Sequence, residues 1–277
     1  MTVDNKITRR NIIKTGVASL VSAAIITPDG HAAYPDDIKS KKKGETKVVF
    51  LGGDYLHNFS AQERGIRSVC EKAGWKCYSL HDARYATPGL IQDADLMMIQ
   101  RWVGGVPGWV PGPVREESPT NDGYISDELE AAIIDNVSNR GMGFMSLHCT
   151  VASWGSESFM DFLGVYGIIH GPLQTVRLHN FNQDHPISSG MTEFIIPIDE
   201  NFGAELTDPG AIPLYETTGL SDKRHDIAGW CLDRDKGRIV GLTAGHTYFA
   251  YQDPKYLKLI WRGAHWALKR EIPPYEG

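Results

Sequence analysis

The stretch KVVFLGG, residues 47–53, decides the fold. A short apolar run that ends in two glycines predicts a buried strand followed by a turn. Residues 62–73 come next and carry Ile66, Val69 and Cys70 at helical spacing, which predicts an amphipathic helix. The same order then recurs along the chain. Further strands are predicted at 76–80, 95–100 and 143–147, and further helices at 126–139 and 154–163. This alternation predicts an α/β fold with a mostly parallel sheet and helices on both faces.

The second half of the chain has a different pattern of predicted elements, because strands follow one another there without helices between them. The five predicted strands are 173–181, 194–198, 212–217, 227–232 and 238–243. A last helix is predicted from Pro254, with Asp253 as its N-cap, to about Lys269. We find no linker and no second apolar core in the sequence, so residues 46–277 are predicted to form one domain.

Residues 1–33 are predicted to be an export signal rather than part of the fold. Arg9 and Arg10 form a twin-arginine pair, and a short apolar stretch, residues 16–26, follows them. Spanning a bilayer takes about 20 apolar residues, so no transmembrane anchor is expected after the signal is removed. The charged start and apolar middle are typical of a secretory signal, and the paired arginines favour the twin-arginine route. The expected location is therefore periplasmic or secreted, with residues 34–45 as a flexible lead-in.

The composition is that of an ordinary globular protein. The formal net charge is -6, with 28 Lys and Arg against 34 Asp and Glu. Phosphate contacts need clustered basic side chains, so nucleic acid is not an expected partner. Four cysteines in 277 residues are too few for a disulfide framework, and whether Cys70 and Cys77 pair is left open.

Histidines follow several predicted strands. His57 comes after the first strand, His148 after the fourth and His246 after the last. Ligands bind beyond the carboxyl ends of the strands in an open parallel sheet, so these imidazoles are expected to meet there. Neutral imidazoles can hydrogen-bond hydroxyls, carry protons or bind a divalent metal. Glu200 follows strand 194–198 and supplies a carboxylate, so His148 and Glu200 are the candidate catalytic acid and base.

Other side chains in the same predicted loops indicate a ligand class. Trp102 and Tyr248 offer ring faces that stack on sugars, and Arg101 offers a cation for developing enolate charge. Together with His57 and His246 they are predicted to bind substrate. A divalent metal is left open as a cofactor, with the three strand-end histidines as candidate ligands, because no compact ligand motif such as HExxH is present.

The order of motifs resembles the trehalose-utilisation (ThuA-like) family, a branch of the class I glutamine-amidotransferase-like superfamily. The matching pieces are GGDYLHNF (52–59), GMGFMSLH (141–148), DHPISSGM (184–191), DENFGAEL (199–206) and GRIVGLTAGHTYFAYQDPKYLKLIWRGAHWAL (237–268). The resemblance implies a flavodoxin-like sheet with extra strands. It also links the chain to the metabolism of trehalose and of sugars oxidised at carbon 3.

The resemblance also bears on the chemistry of the site. It implies that His148 stands where amidotransferase relatives keep a nucleophilic cysteine, and the run HTY at 246–248 lacks their His-x-Glu pair. Cys149 lacks the flanking small residues of a nucleophile elbow, so glutaminase chemistry is not expected. Asp54 stands where many relatives carry a histidine, and the chain departs from the family there.

The leading hypothesis is an exported enzyme that acts on a 3-keto-glycoside or related sugar by acid–base chemistry, as a lyase, hydrolase or isomerase. The alternatives are a sugar-binding protein without chemistry, a metal-dependent hydrolase and an amidotransferase-like enzyme with Cys149 as nucleophile. The expected partner is a small carbohydrate. The sequence leaves open the exact substrate, the metal and whether the chain forms a homo-oligomer.

Overall fold

The computed structural model describes residues 25–26, 32–33, 40–54, 56–102, 125–152, 156–168 and 170–276. The strands in chain order are β1 (Ile25–Ile26), β2 (Ala32–Ala33), β3 (Lys47–Gly52), β4 (Lys76–Leu80), β5 (Leu96–Gln100), β6 (Gly143–Leu147), β7 (Val165–Ile168), β8 (Leu173–His179), β9 (Phe194–Glu200), β10 (Gly203–Leu206), β11 (Ile212–Gly219), β12 (His225–Arg234) and β13 (Gly237–Leu242). The helices are α1 (Phe59–Lys72), α2 (Pro88–Ile91), α3 (Asp127–Asp135), α4 (Glu157–Leu163), α5 (Tyr248–Gln252) and α6 (Pro254–Ala267).

Five parallel strands form the centre of the sheet, in the order β4–β3–β5–β6–β13. Numbered along the chain among themselves, they lie in the order 2-1-3-4-5, which is the flavodoxin-like arrangement. Alternate residues of β3 pack into two separate cores: Val48 and Phe50 pack with α1 and α6, whereas Val49 and Leu51 pack with α2, α3 and α4. Helices therefore cover both faces, and the predicted α/β class is confirmed.

The sheet continues beyond β13 through four antiparallel strands, in the order β12–β11–β8–β9. In a flat sheet, β9 would lie about 19 Å from β13, at about 4.8 Å per strand. Asp199 near the end of β9 nevertheless accepts hydrogen bonds from the backbone N–H groups of Gly245 (2.9 Å) and His246 (2.8 Å). The antiparallel half therefore curls back and brings the end of β9 to the carboxyl end of β13.

Most predicted elements are present, with shifted ends. The helix predicted at 154–163 begins at Glu157, because the Ser156 hydroxyl caps it by accepting from the N–H of Phe159. The helix predicted at 126–139 is α3 followed by a π turn, Asn136–Arg140. Asp253 caps α6 as predicted. The antiparallel pair β7–β10 was not predicted from the sequence.

The two short strands β1 and β2 lie within the predicted export signal. They pair with each other, and β1 pairs with β4 at the outer edge of the sheet. In the predicted lead-in, the backbone N–H of Lys41 donates to Asp93 and its ammonium contacts Asp95 at 2.7 Å. The rest of the predicted signal, the tryptophan at position 154 and the Pro- and Gly-rich stretch 103–121 lie outside the described residues. Among the helices of the described part, none has the length and apolar character needed to cross a membrane.

Candidate functional site

His148 occupies the sharp turn that links β6 to a short 3₁₀ turn, His148–Ala152. Its φ of 45° lies in the left-handed region, which costs a residue with a Cβ about 1–3 kcal/mol. The ring is buried, and its Nδ1–H donates to the carbonyl of Thr243 at 2.8 Å. Nε2 is therefore the ring nitrogen that faces the site, 3.4 Å from Glu200 Oε2 and 3.3 Å from His246 Nδ1.

Asp54 follows β3 and fixes the ring of His57. Its Oδ1 accepts the backbone N–H groups of Leu56 (2.8 Å) and His57 (3.1 Å), and its Oδ2 accepts that of Trp102 (3.1 Å). The Nδ1–H of His57 lies 2.7 and 2.8 Å from the two carboxylate oxygens. Both side chains are buried. Because a carboxylate holds the Nδ1 proton, the neutral ring keeps its lone pair at Nε2.

The pKa of Asp54 reflects this arrangement. Burial raises the pKa of the carboxyl group, but the hydrogen bond and charge of His57 and the N–H groups of Trp102 and Leu56 outweigh burial and lower it to about 2. Asp54 is therefore an anion at neutral pH.

Glu200 arrives from the end of β9 and meets both remaining imidazoles. Its Oε2 lies 3.1 Å from His246 Nδ1 and 3.4 Å from His148 Nε2. Asp199 beside it is buried, and it fixes the turn after β13 through the N–H groups of Gly245 and His246. Burial raises the pKa of Asp199. These contacts make Asp199 a positioning residue.

The electrostatics of this group follow from its burial and its contacts. Burial raises the pKa of Glu200, but its contacts with His148 and His246 outweigh burial and hold the pKa below its usual range. Burial lowers the pKa of His246, but the Glu200 carboxylate outweighs it, so the pKa is raised. Burial dominates at His148 and lowers its pKa. Glu200 is thus an anion at neutral pH, whereas His148 is a neutral imidazole.

The three predicted strand-end histidines therefore come together. Their ring centroids are 5.0 Å apart for His57 and His148, 4.8 Å for His57 and His246, and 5.3 Å for His148 and His246. We call these rings, together with Asp54 and Glu200, the central cluster. It lies at the carboxyl ends of the parallel strands, where α/β sheets bind ligands.

Part of the central cluster has the composition of a metal site. His148, Glu200 and His246 each offer one ligand atom, and these atoms all lie within 4.8 Å of one another. His57, His148 and Cys149 form a second such set. Imidazole nitrogen with carboxylate oxygen is a donor set that Zn²⁺ and related divalent ions accept. The backbone bond that occupies Nδ1 of His148 is the outer contact that ligating histidines usually make.

Cys149 has no activating partner within this geometry. Its Sγ lies 3.6 Å from His57 Nδ1, but that nitrogen is already engaged with the Asp54 carboxylate. Burial raises the pKa of the thiol well above its usual value. A nucleophilic cysteine needs a lowered pKa or a free neighbouring base, so the structure disfavours this alternative.

The other predicted site residues lie around the central cluster. Arg101 is buried, and its guanidinium donates to the carbonyl of His81 at 3.3 Å. The indole N–H of Trp102 donates to the carbonyl of Ala152 at 3.1 Å. Tyr248 begins α5, is 47% exposed and stacks on Phe249. Arg101 and Trp102 thus support the loops of the site, and Tyr248 is the accessible aromatic ring.

One further residue of the site was not predicted. His170 Nδ1 lies 2.7 Å from the carbonyl oxygen of Gly171 and 3.4 Å from Glu200 Oε1, the second carboxylate oxygen. The sequence places His170 in a connection between β7 and β8, and it gives no periodic signal for such a contact. The contact between His170 and Glu200 could have been predicted only with the pairing of β7 and β10 in hand, because Glu200 is joined to β10 by a short connection through Asn201.

The fold and site define a flavodoxin-like α/β domain with extra antiparallel strands that carries a histidine–carboxylate cluster at its strand ends. Comparison with solved structures agrees on the fold. A ThuA-like protein from Parabacteroides merdae superposes with a TM-score of 0.63 at 14% identity, covering 84% of this chain and 93% of that chain. A ThuA-like protein from Bacteroides uniformis gives 0.61 at 13% identity, with coverages of 85% and 95%. A cytoplasmic protein from Salmonella typhimurium gives 0.55 at 14% identity, with coverages of 80% and 99%.

The family is shown by the sequence itself. The family pattern described as trehalose utilisation, ThuA, matches residues 56–267. The chain belongs to the ThuA family. No curated protein matches the chain.

Proposed function

We propose that this protein is a carbohydrate-active enzyme that acts on a 3-keto-glycoside or a related oxidised sugar by acid–base chemistry. One observation carries the proposal: a carboxylate-backed imidazole, the Asp54–His57 pair, lies against a second group of two imidazoles and one carboxylate at the ligand-binding edge of the sheet. Membership of a trehalose-utilisation family supports a sugar as the substrate class.

The chemistry follows from the carbonyl at carbon 3 of such a sugar. That carbonyl acidifies the proton on carbon 2. A base that removes this proton allows the bond between carbon 1 and the glycosidic oxygen to break, a carbon 1–carbon 2 double bond forms, and the departing oxygen takes a proton. The enzyme therefore needs a proton acceptor, a proton donor and stabilisation for the enolate oxygen.

In this proposal His57 is the base. Its Nδ1–H is held by Asp54, so Nε2 accepts the carbon 2 proton and can return it to the glycosidic oxygen. Glu200 has a pKa below its usual range, which makes it a weak proton acceptor. Glu200 and His148, the acid–base pair of the sequence hypothesis, are therefore assigned to charge stabilisation.

We further propose that His148, Glu200 and His246 hold a divalent cation. A neutral imidazole and an ionised carboxylate are the forms that a cation binds. When bound, such an ion supplies positive charge for a developing enolate. Tyr248, exposed beside the central cluster, offers a ring face for the sugar.

The test is a turnover assay with the purified chain and 3-keto-glycosides, in which release of the leaving group and exchange of the carbon 2 proton with deuterated water are both measured. We expect H57Q to lower the rate by about 10²- to 10⁴-fold, the usual contribution of a general base. H185Q is the matched control, because that ring packs on Trp266 outside the central cluster. Sugar binding by the wild-type protein without exchange or release would replace the enzyme proposal with a binding function.

A chelator tests the cation separately. We expect activity to fall after treatment with a chelator and to return with added divalent ion. Activity that survives complete removal of metal, but is lost in H57Q, would keep the acid–base proposal and overturn the cation.

We also propose that the chain is exported by the twin-arginine route. The support is the Arg9–Arg10 pair followed by the weakly apolar stretch 16–26. Fractionation of bacteria that produce the chain should find it in the periplasm or medium, and the R9K/R10K double variant should stay in the cytoplasm. Cytoplasmic wild-type protein would overturn this proposal.

A further inference from the structure

A second histidine–carboxylate group lies on the antiparallel half of the sheet, away from the central cluster. The strand register pairs His179 of β8 with Glu216 of β11, and Thr218 of β11 with His225 of β12. Glu216 and Thr218 are two residues apart on one strand, so their side chains share a face, and directly paired residues share that face with them. Three neighbouring strands thus present two imidazoles, a carboxylate and a hydroxyl together.

The distances show that these side chains meet. His179 Nε2 lies 2.7 Å from Thr218 Oγ1, and His225 Nδ1 lies 3.2 Å from the same oxygen. The other ring nitrogen of His225 lies 2.8 Å from Glu216 Oε2. Asn180 donates its amide to the same carboxylate oxygen. The two rings have centroids 5.1 Å apart.

This group is separate from the central cluster along the strands. Leu173, at the start of β8, is the residue paired with Glu200, whereas His179 ends that strand six residues later. At about 3.3 Å per residue, the separation along β8 is about 20 Å. A charged pair, Arg177 with Glu193 at 3.7 Å, involves the side chain next on the same face of β8. That arginine is already balanced by a carboxylate of its own.

We propose that His179, Glu216 and His225 form a second site for a divalent transition-metal ion such as Zn²⁺. One ring nitrogen of each histidine and one carboxylate oxygen of Glu216 all lie within 4.8 Å of one another. Two histidines with one carboxylate is a known three-ligand set for zinc, and it leaves the fourth position to water or an added ligand.

The spacing and the exposure of the three ligand side chains suit a metal site. Zinc–ligand bonds of about 2.0–2.2 Å hold tetrahedral ligand atoms about 3.4 Å apart. The three ligand atoms now lie within 4.8 Å of one another, so the widest separation has to shrink by about 1 Å or a little more. His179 is buried and supplies a fixed ligand, whereas the side chains of His225 and Glu216 are 51% and 30% exposed and can adjust. Thr218 and Asn180 already contact the ligand side chains, as outer partners of metal ligands do.

The site differs in kind from the central cluster. Its histidine at position 225 is half-exposed, and its ligands come from the antiparallel strands rather than from the loops after the parallel ones. A site of this kind at the surface would bind its ion whether or not the central cluster binds one. The two sites can therefore be tested independently.

The experiment is a Zn²⁺ titration by calorimetry on the full chain after removal of metal by a chelator. H225A is the test variant, because this exposed ring can be removed with little effect on folding. H185A is the control, because that ring packs on Trp266 and belongs to neither site. We expect H225A to bind one equivalent less than the wild type, with affinity at this site lowered by about 100-fold or more, and H185A to match the wild type. Loss of an outer partner alone lowers metal affinity by about 10- to 100-fold, so loss of a ligand should do at least as much.

The H148A/H246A double variant separates the two sites. In this background we expect one equivalent of Zn²⁺ to remain, to raise the unfolding temperature, and to disappear when H225A or E216Q is added. The proposal is overturned if the double variant binds no Zn²⁺, or if H225A and E216Q leave its Zn²⁺ binding unchanged. Circular dichroism of each variant establishes that the lost binding is not lost folding.

Discussion

Replacement of Asp54 by asparagine is expected to destabilise the protein in a pH-dependent way. The carboxyl group has a pKa of about 2 in the folded protein, against an ordinary value of 3.8. Because one pKa unit corresponds to about 1.4 kcal/mol, the ionised group stabilises the folded state by about 2 kcal/mol at neutral pH. The side chain is 3% exposed, so little of this is lost to screening by solvent.

The sign of the pH dependence follows from the lowered pKa. The stabilisation is complete above the unfolded pKa and is lost as the pH falls through the folded pKa. About half of it should remain at pH 3, between these two values. Asparagine cannot ionise, so the difference in unfolding free energy between wild type and D54N should shrink from about 2 to about 1 kcal/mol between pH 7 and pH 3.

Urea denaturation at several pH values measures this difference directly. The exposed Asp184 provides the control, because D184N should change the unfolding free energy by less than about 0.5 kcal/mol. A D54N protein as stable as the wild type at pH 7 would refute the reasoning. A difference in unfolding free energy that stays constant on acidification would also refute it, because such a difference would come from packing rather than from charge.

Two further predictions test the sheet and the site. Gly241 lies against the ring of Trp230, where an added Cβ would be 2.2 Å from a ring carbon, so G241A should lower the unfolding free energy by about 3 kcal/mol in urea denaturation. G89A, at a position with no atom closer than 4.0 Å, should stay within about 0.5 kcal/mol of the wild type, and equal stabilities of the two variants would contradict the packing argument. E200Q removes the carboxylate that raises the pKa of His246, so NMR titration of the metal-free protein should show that pKa falling, whereas an unchanged value would mean that the contact is absent in solution.

The parallel half of the fold could be predicted from the sequence because its strands are buried on both sides. β3 and β6 are buried throughout and mostly apolar, and a glycine or a histidine follows each of them. Such runs separated by helices admit few arrangements. His148 and His246 follow two of these strands, which are neighbours in the sheet. Their proximity could be expected from topology alone, and the structure brings their rings to 5.3 Å.

Glu200 was predicted as a site residue from its place after an apolar run, but its contact with His148 and His246 could not be derived from the strand order. Glu200 comes from β9, four strands from β13 in the sheet order. The sequence shows an acidic pair, Asp199 and Glu200, after an apolar run. It contains no local signal for the curl of the sheet that brings this pair to the carboxyl end of β13. The curl depends on long-range pairing through β12, β11 and β8, with irregular register in β11 and β8 that no residue pattern announces.

The curl also explains why Asp199 and Glu200, although adjacent in the chain, have different roles. Asp199 is buried and accepts the backbone N–H groups of two consecutive residues, Gly245 and His246, so it ties the returning strand to the turn after β13. Its neighbour then points into the central cluster and contacts His148 and His246. The left-handed backbone at His148 positions one imidazole, and the returning strand β9 positions the carboxylate. The site therefore depends on the contact between the two halves of the sheet. A change that loosens β9 should separate Glu200 from the imidazoles of His148 and His246. The Asp54–His57 pair should stay in place, because it belongs wholly to the parallel half.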